Sequence, residues 1–337
     1  MKAIGQTVYG GPEVLQFVAV PRPALRAGDL LVKVNTFAVN PVDTMRRRGR
    51  GAGQPVNDPP QIIGWDAAGV VAEVEASATR FKVGDEVYFA GDSTRQGCYA
   101  EYVAVDERIV AHKPTQLSFP EAAAVPLTAL TVWEAFFENL NIHMHPTGPT
   151  GTLLILGGAG GVGSMAIQIA KQVADLKVIA TASRAASRKH CKKMGADLVI
   201  DHTKDLQPQL EAHGIGGLDY ILNTSVSTDF SHLAQSLNAL GKICTITGNS
   251  DATRTLDFDE MFFKRATLTF ELMFTRTLLN IEPERQGQIL TEIAYLLDQR
   301  VLVSTLTQVL DWHDIQQAHQ SSEAGHTLGK IVLNVSG

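Results

Sequence analysis

Cysteine is scarce in this 337-residue sequence, and the three that occur, Cys98, Cys191 and Cys244, lie far apart. An odd number of widely spaced cysteines predicts neither a disulfide framework nor a zinc knuckle. Long apolar runs are also missing: no window reaches the roughly 18 residues of a membrane span, and the N-terminus lacks the apolar core of a signal peptide. We therefore expect a protein of the reducing cytoplasm that has no membrane partner.

Positive charge is in deficit, because 29 Lys and Arg face 35 Asp and Glu for a formal charge of -6. Without a basic stripe along any predicted helix, the sequence has no electrostatic footprint for nucleic acid. The one basic cluster is RRRGR at residues 46–50. Lying among glycines, it predicts a solvated loop, with the rim of a site for an anionic ligand as the alternative.

Apolar residues make up 45% of the chain, and its length exceeds what one core usually holds, so two domains are expected. Up to about residue 115, short β-rich runs between Gly, Pro and Asp predict antiparallel strands in a small barrel. From there to about residue 273, strand-like and helix-like segments alternate, which predicts a parallel sheet covered on both faces. The last segment is too short to fold alone, and we expect it to return to the first domain.

A glycine-rich loop lies at the start of the second zone, in LLILGGAGGVGSMAIQIAK at residues 153–171. Gly158, Gly160 and Gly163 form G-x-G-x-x-G after a predicted strand and before a predicted helix, the context that dinucleotide binding requires. The first glycine would allow the tight turn, the second would let the backbone approach a pyrophosphate, and the third would let helix and strand pack closely. The helix N-terminus would add a favourable dipole for the anion.

The end of the next strand, in VIATASRAASRKH, indicates which dinucleotide is bound. An acidic side chain there would bind the ribose 2'-hydroxyl of NAD, but the turn holds Ser183 and Arg184, with Arg188 and Lys189 one helical turn later. A hydroxyl and a guanidinium can bind a 2'-phosphate, so NADPH is favoured. The alternative is that these are ordinary helix-start residues, with Ser183 as the N-cap.

Several motifs in order carry a family resemblance: GDLLVKVNTFAVNPVDTMRRRG, IIGWDAAGVV, FKVGDEVY, GCYAEYVAV and AAAVPLTALTVWEAF before the glycine loop, CKKMGADLVID and GKIVLNV after it. Over nearly its whole length the sequence resembles the medium-chain dehydrogenase/reductases, especially the quinone oxidoreductase and zeta-crystallin-like group. The resemblance implies an α/β fold: a GroES-like β-barrel catalytic domain over residues 1–124 and 273–337, and a doubly wound Rossmann domain over 125–272. It also implies a cleft between the two domains and a homodimer or homotetramer.

The branch is often labelled zinc-type, yet the ligands of zinc-using relatives are replaced here. Where those relatives have a cysteine and then Gly-His-Glu, this chain has Asn40-Pro41-Val42-Asp43 and Gly64-Trp65-Asp66. Catalytic zinc needs three protein ligands and an open fourth position, and Asp43 with Asp66 would form a hard oxygen site that suits zinc poorly. We therefore expect no metal.

The resemblance also assigns roles to individual residues. Asn40 matches an asparagine near the nicotinamide ribose, and Thr131 matches a threonine at the carboxamide. His202 stands where relatives often have a tyrosine at the adenosine, and Met45 replaces another common tyrosine. The remaining matches are to the pyrophosphate loop (Gly160, Gly161, Val162), to loops beneath the cofactor (Thr224, Gly248, Asn249, Ser250) and to a C-terminal lysine that can approach it (Lys330).

Hydride transfer from NADPH to a quinone or an α,β-unsaturated carbonyl is the predicted reaction, because without a Lewis acid the acceptor must already be electrophilic. Asp43 is either a buried structural carboxylate or a member of a proton relay. Two other functions stay open: an alcohol or aldehyde dehydrogenase of the same superfamily, and a non-catalytic, crystallin-like NADPH-binding protein.

Overall fold

The computed structural model describes residues 1–49, 51–144, 151–225, 230–247 and 256–336. Contacts between Cα atoms divide the chain into a discontinuous unit, Met1–Leu130 with Phe274–Gly337, and a central unit, Thr131–Met273. No helix within the described ranges is both long enough and apolar enough to cross a bilayer.

Sixteen strands can be numbered in chain order along the described residues. They are β1 Lys2–Gln6, β2 Gln16–Ala19, β3 Asp29–Val39, β4 Gln61–Ile62, β5 Ala67–Val74, β6 Glu86–Phe89, β7 Tyr102–Asp106, β8 Ala111–His112, β9 Thr152–Leu156, β10 Lys177–Thr181, β11 Leu198–Ile200, β12 Leu218–Asn223, β13 Leu237–Thr245, β14 Thr267–Phe270, β15 Leu306–Asp311 and β16 Lys330–Asn334.

Eleven α-helices are numbered in the same way over the same residues. They are α1 Pro41–Arg48, α2 Phe119–Ala123, α3 Pro126–Trp133, α4 Gly161–Gln172, α5 Ala185–Met194, α6 Leu206–Ala212, α7 Phe230–Ser236, α8 Phe258–Phe263, α9 Thr275–Leu279, α10 Glu284–Asp298 and α11 Ile315–Glu323. A π-helix, Glu134–Asn139, directly follows α3.

The discontinuous unit is built on the long strand β3. Strand β5 pairs along one side of β3, while β7 and the C-terminal strand β16 share the other side, all antiparallel. The larger sheet has the order β15-β16-β3-β5-β6-β8, and a smaller sheet has the order β2-β1-β4. Strand β3 is flanked on both edges, and nine of its eleven residues are buried. Its carboxyl end leads directly to the buried Asn40, the N-cap of α1.

The central unit is a doubly wound sheet of six parallel strands in the order β11-β10-β9-β12-β13-β14. The fold prediction of a Rossmann-type parallel sheet is therefore confirmed. The strand order reverses between β9 and β12, and ligands of such sheets bind beyond the carboxyl ends of the strands at that point. The core between sheet and helices includes Leu154, Ile179, Ile221, Phe230 and Leu233.

Two local predictions are wrong. The cluster at residues 46–50 is not a solvated loop: Arg46, Arg47 and Arg48 form the last turn of α1, and Arg47 is fully buried. Arg50 lies outside the described residues. The second is CYAEYVAV at residues 98–105, one of the short β-rich runs from which strands are predicted in the first zone. It is not a strand from its start: Cys98 lies in a bend, where its backbone N–H donates to the Gly64 carbonyl and its thiol to the Asp66 carbonyl, and β7 begins only at Tyr102.

Candidate cofactor and active site

The glycine loop connects β9 to α4, as predicted, but its tight turn lies one residue earlier than expected. Gly157 has φ +72°, a conformation that side chains disfavour, whereas Gly158, to which the sequence assigned the turn, has no positive φ. Gly158 is needed for space instead, because a Cβ there would lie 2.7 Å from the Ala180 Cβ. A Cβ on Gly163 would lie 2.6 Å from the Cα of Gly158, so α4 packs closely against the loop.

Gly160 is the position at which the loop is open. It is the N-cap of α4, with φ -74° and ψ 178°, and a Cβ there would meet only the Gly157 carbonyl at 3.6 Å. The twelve-residue helix α4 begins at Gly161, and the first N–H groups of a helix, here those of Gly161, Val162 and Gly163, have no intrahelical acceptor. This loop therefore has the free surface and the donors that fit a pyrophosphate.

The turn after β10 contains the side chains predicted to meet a 2'-phosphate. Ser183 and Arg184 are exposed, and the N-cap of α5 is Arg184 rather than Ser183. Arg188 is used differently, because its guanidinium donates to the Ala182 carbonyl at 3.0 Å and to the Val199 carbonyl at 2.6 Å. Arg188 therefore connects the end of β10 to β11 through hydrogen bonds. At the turn itself, the solvent-exposed cation is Arg184.

A cleft of about 290 Å³ lies at the carboxyl ends of β9, β10 and β11. The predicted His202 lines it with an exposed side chain. Sequence reasoning missed other lining residues, among them Thr181, Lys204, Ser225 and His232. The loops that follow parallel strands lie at the same edge of the sheet. Polar residues in the loops after several predicted strands were therefore the signal that could have identified these lining residues.

The loop after β12 packs against the glycine turn through Thr224. The Thr224 hydroxyl donates to the Leu156 carbonyl at 2.6 Å, and Thr224 Oγ1 would lie 2.6 Å from a Cβ on Gly157. Gly248, Asn249 and Ser250, the other residues assigned to loops beneath the cofactor, lie outside the described residues. Thr131 lies in α3 and is buried, with 5% of the residue exposed.

In the discontinuous unit, a buried cluster joins Asn40, Asp66 and Lys330, which come from three distant parts of the chain. Lys330 Nζ donates to Asp66 Oδ2 at 2.8 Å, to the Val39 carbonyl at 3.3 Å and to Asn40 Oδ1. The Asn40 amide also donates to Asp66 Oδ2 at 3.0 Å, so both ends of the amide are fixed. These three acceptors account for all three hydrogens of the Lys330 ammonium. The expected approach of Lys330 to the cofactor stays a prediction.

Asp43 lies beside this cluster, in the first turn of α1. Its Oδ2 accepts from the Asn40 backbone N–H and from the Tyr99 hydroxyl, each at 2.8 Å. Tyr99 is also 3.2 Å from His319 Nε2, and His319 Nδ1 is 3.1 Å from Arg47 Nη1. Asp43 Oδ1 is buried and finds no hydrogen-bond partner among the described residues.

Burial governs the ionisation of these groups. It raises the pKa of Asp43 to about 7, against the lowering effect of the bonds from Asn40 and Tyr99. Burial, together with the nearby Arg47 charge, lowers the pKa of His319 to about 3, so the imidazole is neutral. The pKa of Asp66 is also raised by burial, although Lys330 opposes the shift.

The donors present do not fit a catalytic zinc. At the positions of the zinc ligands, the Asn40 amide is held by Lys330 and Asp66, and the Trp65 indole donates to the Asp92 carbonyl. The ammonium of Lys330 already neutralises Asp66, so a divalent cation would have to bind next to an existing positive charge. Among the described residues, no group of three or more His, Cys, Asp or Glu side chains could hold a metal.

Sequence reasoning considered Asp66 only as a failed metal ligand and missed Arg47, Tyr99 and His319. One signal was available for His319: with Ile315 and Ala318 it forms the buried face of α11 at helical spacing, where a histidine needs partners. The position of Tyr99 depends on a bend that has no clear sequence signature.

Two family descriptions match parts of the chain: alcohol dehydrogenase GroES-like domain over residues 26–115, and zinc-binding dehydrogenase over residues 194–333. A zinc-type alcohol dehydrogenase-like protein of Staphylococcus aureus is 38% identical over 323 residues, 93% of each chain. The 2-methylene-furan-3-one reductase of Solanum lycopersicum is 41% identical over 214 residues, 61% of this chain and 53% of its own.

Among solved structures, the quinone oxidoreductase of Escherichia coli in complex with NADPH superposes with a TM-score of 0.83 at 25% identity, covering 99% of this chain and 100% of its own.

Proposed function

This chain belongs to the medium-chain dehydrogenase/reductase superfamily, in its quinone oxidoreductase-like group, and from that premise we propose that it is a zinc-independent, NADPH-dependent reductase of quinones or α,β-unsaturated carbonyls. The NADPH complex of the bacterial quinone oxidoreductase and the name of the tomato reductase support this assignment. The substrate class and the choice of NADPH over NADH belong to the proposal.

The observation that carries the proposal is the Asn40–Asp66–Lys330 cluster. At positions where zinc-using relatives carry ligands, the side-chain oxygens of Asn40 and Asp66 accept hydrogen bonds from the Lys330 ammonium. An ammonium cannot act as a Lewis acid. Oxidation of a simple alcohol needs a stabilised alkoxide, which zinc supplies in other enzymes. A quinone or enone needs no such help, because its own conjugation accepts the hydride, and positioning then provides most of the catalysis.

The protein's own residues would bind and orient the reactants. The N-terminus of α4, with Gly160, Gly161 and Val162, would hold the pyrophosphate by backbone N–H groups. Asn40, fixed at both ends of its amide, and Thr131 would orient the nicotinamide end, as the resemblance implies. NADPH, when bound, supplies the hydride. The resulting enolate or quinolate would be protonated from solvent, so that one hydride and one proton reduce each acceptor molecule, an enone to a saturated ketone or a quinone to a quinol.

Deuterium transfer tests the reaction directly. NADPH that carries deuterium at the transferred position should yield deuterium on the β-carbon of a reduced enone, as measured by mass spectrometry of the product. The protein is first dialysed against a strong chelator, with elemental analysis for zinc, and its rate should not change. If the label never reaches an enone and only alcohols and aldehydes turn over, the alcohol dehydrogenase alternative replaces this proposal. If nothing turns over, the non-catalytic alternative does.

NADPH should bind at least about tenfold more tightly than NADH, a difference of about 1.4 kcal/mol. We attribute this preference to Ser183 and Arg184, the hydroxyl and the solvent-facing cation at the turn after β10. Arg184→Ala should reduce the ratio of the two dissociation constants, measured by nicotinamide fluorescence. Lys193→Ala removes an exposed cation in the last turn of the same helix. It is the matched control and should leave the ratio unchanged. Equal constants for both cofactors in the wild type would contradict this assignment.

A further inference from the structure

The hydrogen bonds around Asp43 form a chain whose direction is fixed by chemistry. Arginine can only donate, so its partner, His319 Nδ1, must accept and carry no proton. A neutral imidazole then carries its hydrogen on Nε2, and this N–H donates to the Tyr99 oxygen. The Tyr99 hydrogen is therefore directed to Asp43 Oδ2, the remaining partner of that hydroxyl. The chain runs from Arg47 through His319 and Tyr99 to Asp43.

Arg47 is a fixed starting point for this chain. Its buried guanidinium also donates to the Gly10 carbonyl at 3.1 Å and to Glu323 Oε1 on α11. Because an arginine keeps its proton, protons cannot pass through it from solvent, and the chain is not a conduit to the surface. Its effect is to orient the hydroxyl of Tyr99 and to stabilise a charge on Asp43.

At the other end, Asp43 connects the chain to the site. Its Oδ2 accepts from the Asn40 N–H as well as from Tyr99, and both donors therefore occupy the same oxygen. The free oxygen, Oδ1, is the place for a proton when the carboxyl is neutral. An ionised Asp43 binds the Asn40 N–H more strongly than a neutral one does, because a charged acceptor makes the stronger hydrogen bond.

We propose that Arg47, His319 and Tyr99 act as positioning residues for the active site, holding Asp43 ionised so that it fixes Asn40 in its working orientation. The inference rests on the proposed function in one respect, that Asn40 orients the nicotinamide end of the cofactor. Asp43 is then an ionising positioning group that need not touch the substrate.

Other charged or titratable groups also face Asp43 and contribute to its ionisation. Lys330 on β16 favours the charged form, while Asp66 opposes it, and the Tyr99 hydroxyl and the Asn40 backbone add hydrogen bonds. Burial raises the pKa of the Cys98 thiol, and the nearby charges of Asp43 and Asp66 raise it further. Arg47 and His319 act through Tyr99. Since burial brings the pKa of Asp43 to about 7, both forms are populated at neutral pH.

The test compares Tyr99→Phe with Tyr88→Phe. Both tyrosines are fully buried in the discontinuous unit, and each donates one hydrogen bond, Tyr88 to the Leu290 carbonyl at 2.5 Å. The ionisation midpoint of Asp43 is read in the cofactor-free protein from its carboxyl infrared band, which is identified by its loss in Asp43→Asn. Tyr99→Phe should raise this midpoint by about one pH unit, the effect of losing a hydrogen bond to a carboxylate. Tyr88→Phe should not change it.

The second readout is the pH dependence of kcat with a quinone. The rate should rise as Asp43 ionises, the rising limb should move to higher pH in Tyr99→Phe, and Asp43→Asn should lack it. His319→Gln keeps an N–H able to reach Tyr99, so its pH dependence of kcat should match that of the wild type. In His319→Leu the rising limb should move to higher pH, as in Tyr99→Phe.

Three results would contradict the positioning role or the proposed function. An unchanged infrared midpoint in Tyr99→Phe would show that the chain does not act on Asp43. A shifted midpoint with an unshifted kcat limb would overturn the positioning role. A wild-type protein that reduces no quinone or enone would refute the proposed function alone, because the infrared midpoints still test the chain.

Discussion

Replacing Lys330 with Met is expected to lower the free energy of unfolding by about 3–5 kcal/mol near neutral pH, the usual cost of removing one partner of a buried ion pair. Lys330 and Asp66 expose 3% and 0% of their side chains, so water cannot replace the lost ammonium. Asn40 would lose a donor to its Oδ1 as well. The measurement is urea unfolding followed by tryptophan fluorescence.

The loss should depend on pH. Without Lys330 the pKa of Asp66 in the folded protein rises further above its unfolded value, because burial then acts unopposed. A group with a raised folded pKa stabilises the fold at low pH, and this contribution disappears as the pH rises through the folded pKa. The variant should therefore be closer to the wild type at about pH 5 than at about pH 8.

Two further variants separate the buried charge from the loss of side-chain packing. The double variant Lys330→Met with Asp66→Asn should recover part of the stability, since no unpaired charge remains. Lys113→Met is the matched control, because Lys113 is also buried but its partner Glu86 is half exposed and can be solvated. An equal loss for Lys113→Met and Lys330→Met would contradict the importance of the buried pair.

Regular patterns in the sequence predicted the fold because each depends on neighbouring residues. The apolar run before the glycine loop, and the alternation of helix-like and strand-like segments after it, predict β9, α4 and β10 to within a few residues. The final strand β16 could be recognised by its apolar pattern, but its pairing with β3, almost 300 residues earlier, is a property of the folded chain.

The buried cluster could not be assembled from the sequence for the same reason. Asn40, Asp66, Tyr99, His319 and Lys330 lie in five separate segments, and their contacts depend on the register of β3 and the docking of α11. Arg47 shows the limit of local reasoning most clearly. Composition placed it in a solvated loop, whereas its guanidinium is buried and bonds to the Gly10 carbonyl and to His319 on α11.

The glycine loop provides the second large expected effect. Gly160→Ala should leave the stability of the cofactor-free protein within about 0.5 kcal/mol, because its backbone angles suit alanine and a Cβ would reach open space. The same methyl group would stand between the backbone N–H groups and the pyrophosphate. We expect the NADPH dissociation constant to rise on the order of a hundredfold, or about 2.7 kcal/mol.

Gly163→Ala should behave differently, because its Cβ would lie 2.6 Å from the Cα of Gly158 and the loop would have to move even without cofactor. Overpacking of this kind costs about 1–3 kcal/mol, so this variant should lose both stability and NADPH affinity. Gly216→Ala, in the same unit and with no atom within 4 Å of the added Cβ, is the control for a glycine-to-alanine change. Dissociation constants come from nicotinamide fluorescence and stability from urea unfolding. If Gly160→Ala bound NADPH as tightly as Gly216→Ala does, the open face of this loop would not be where the pyrophosphate lies, and the dinucleotide assignment of the loop would fail with it.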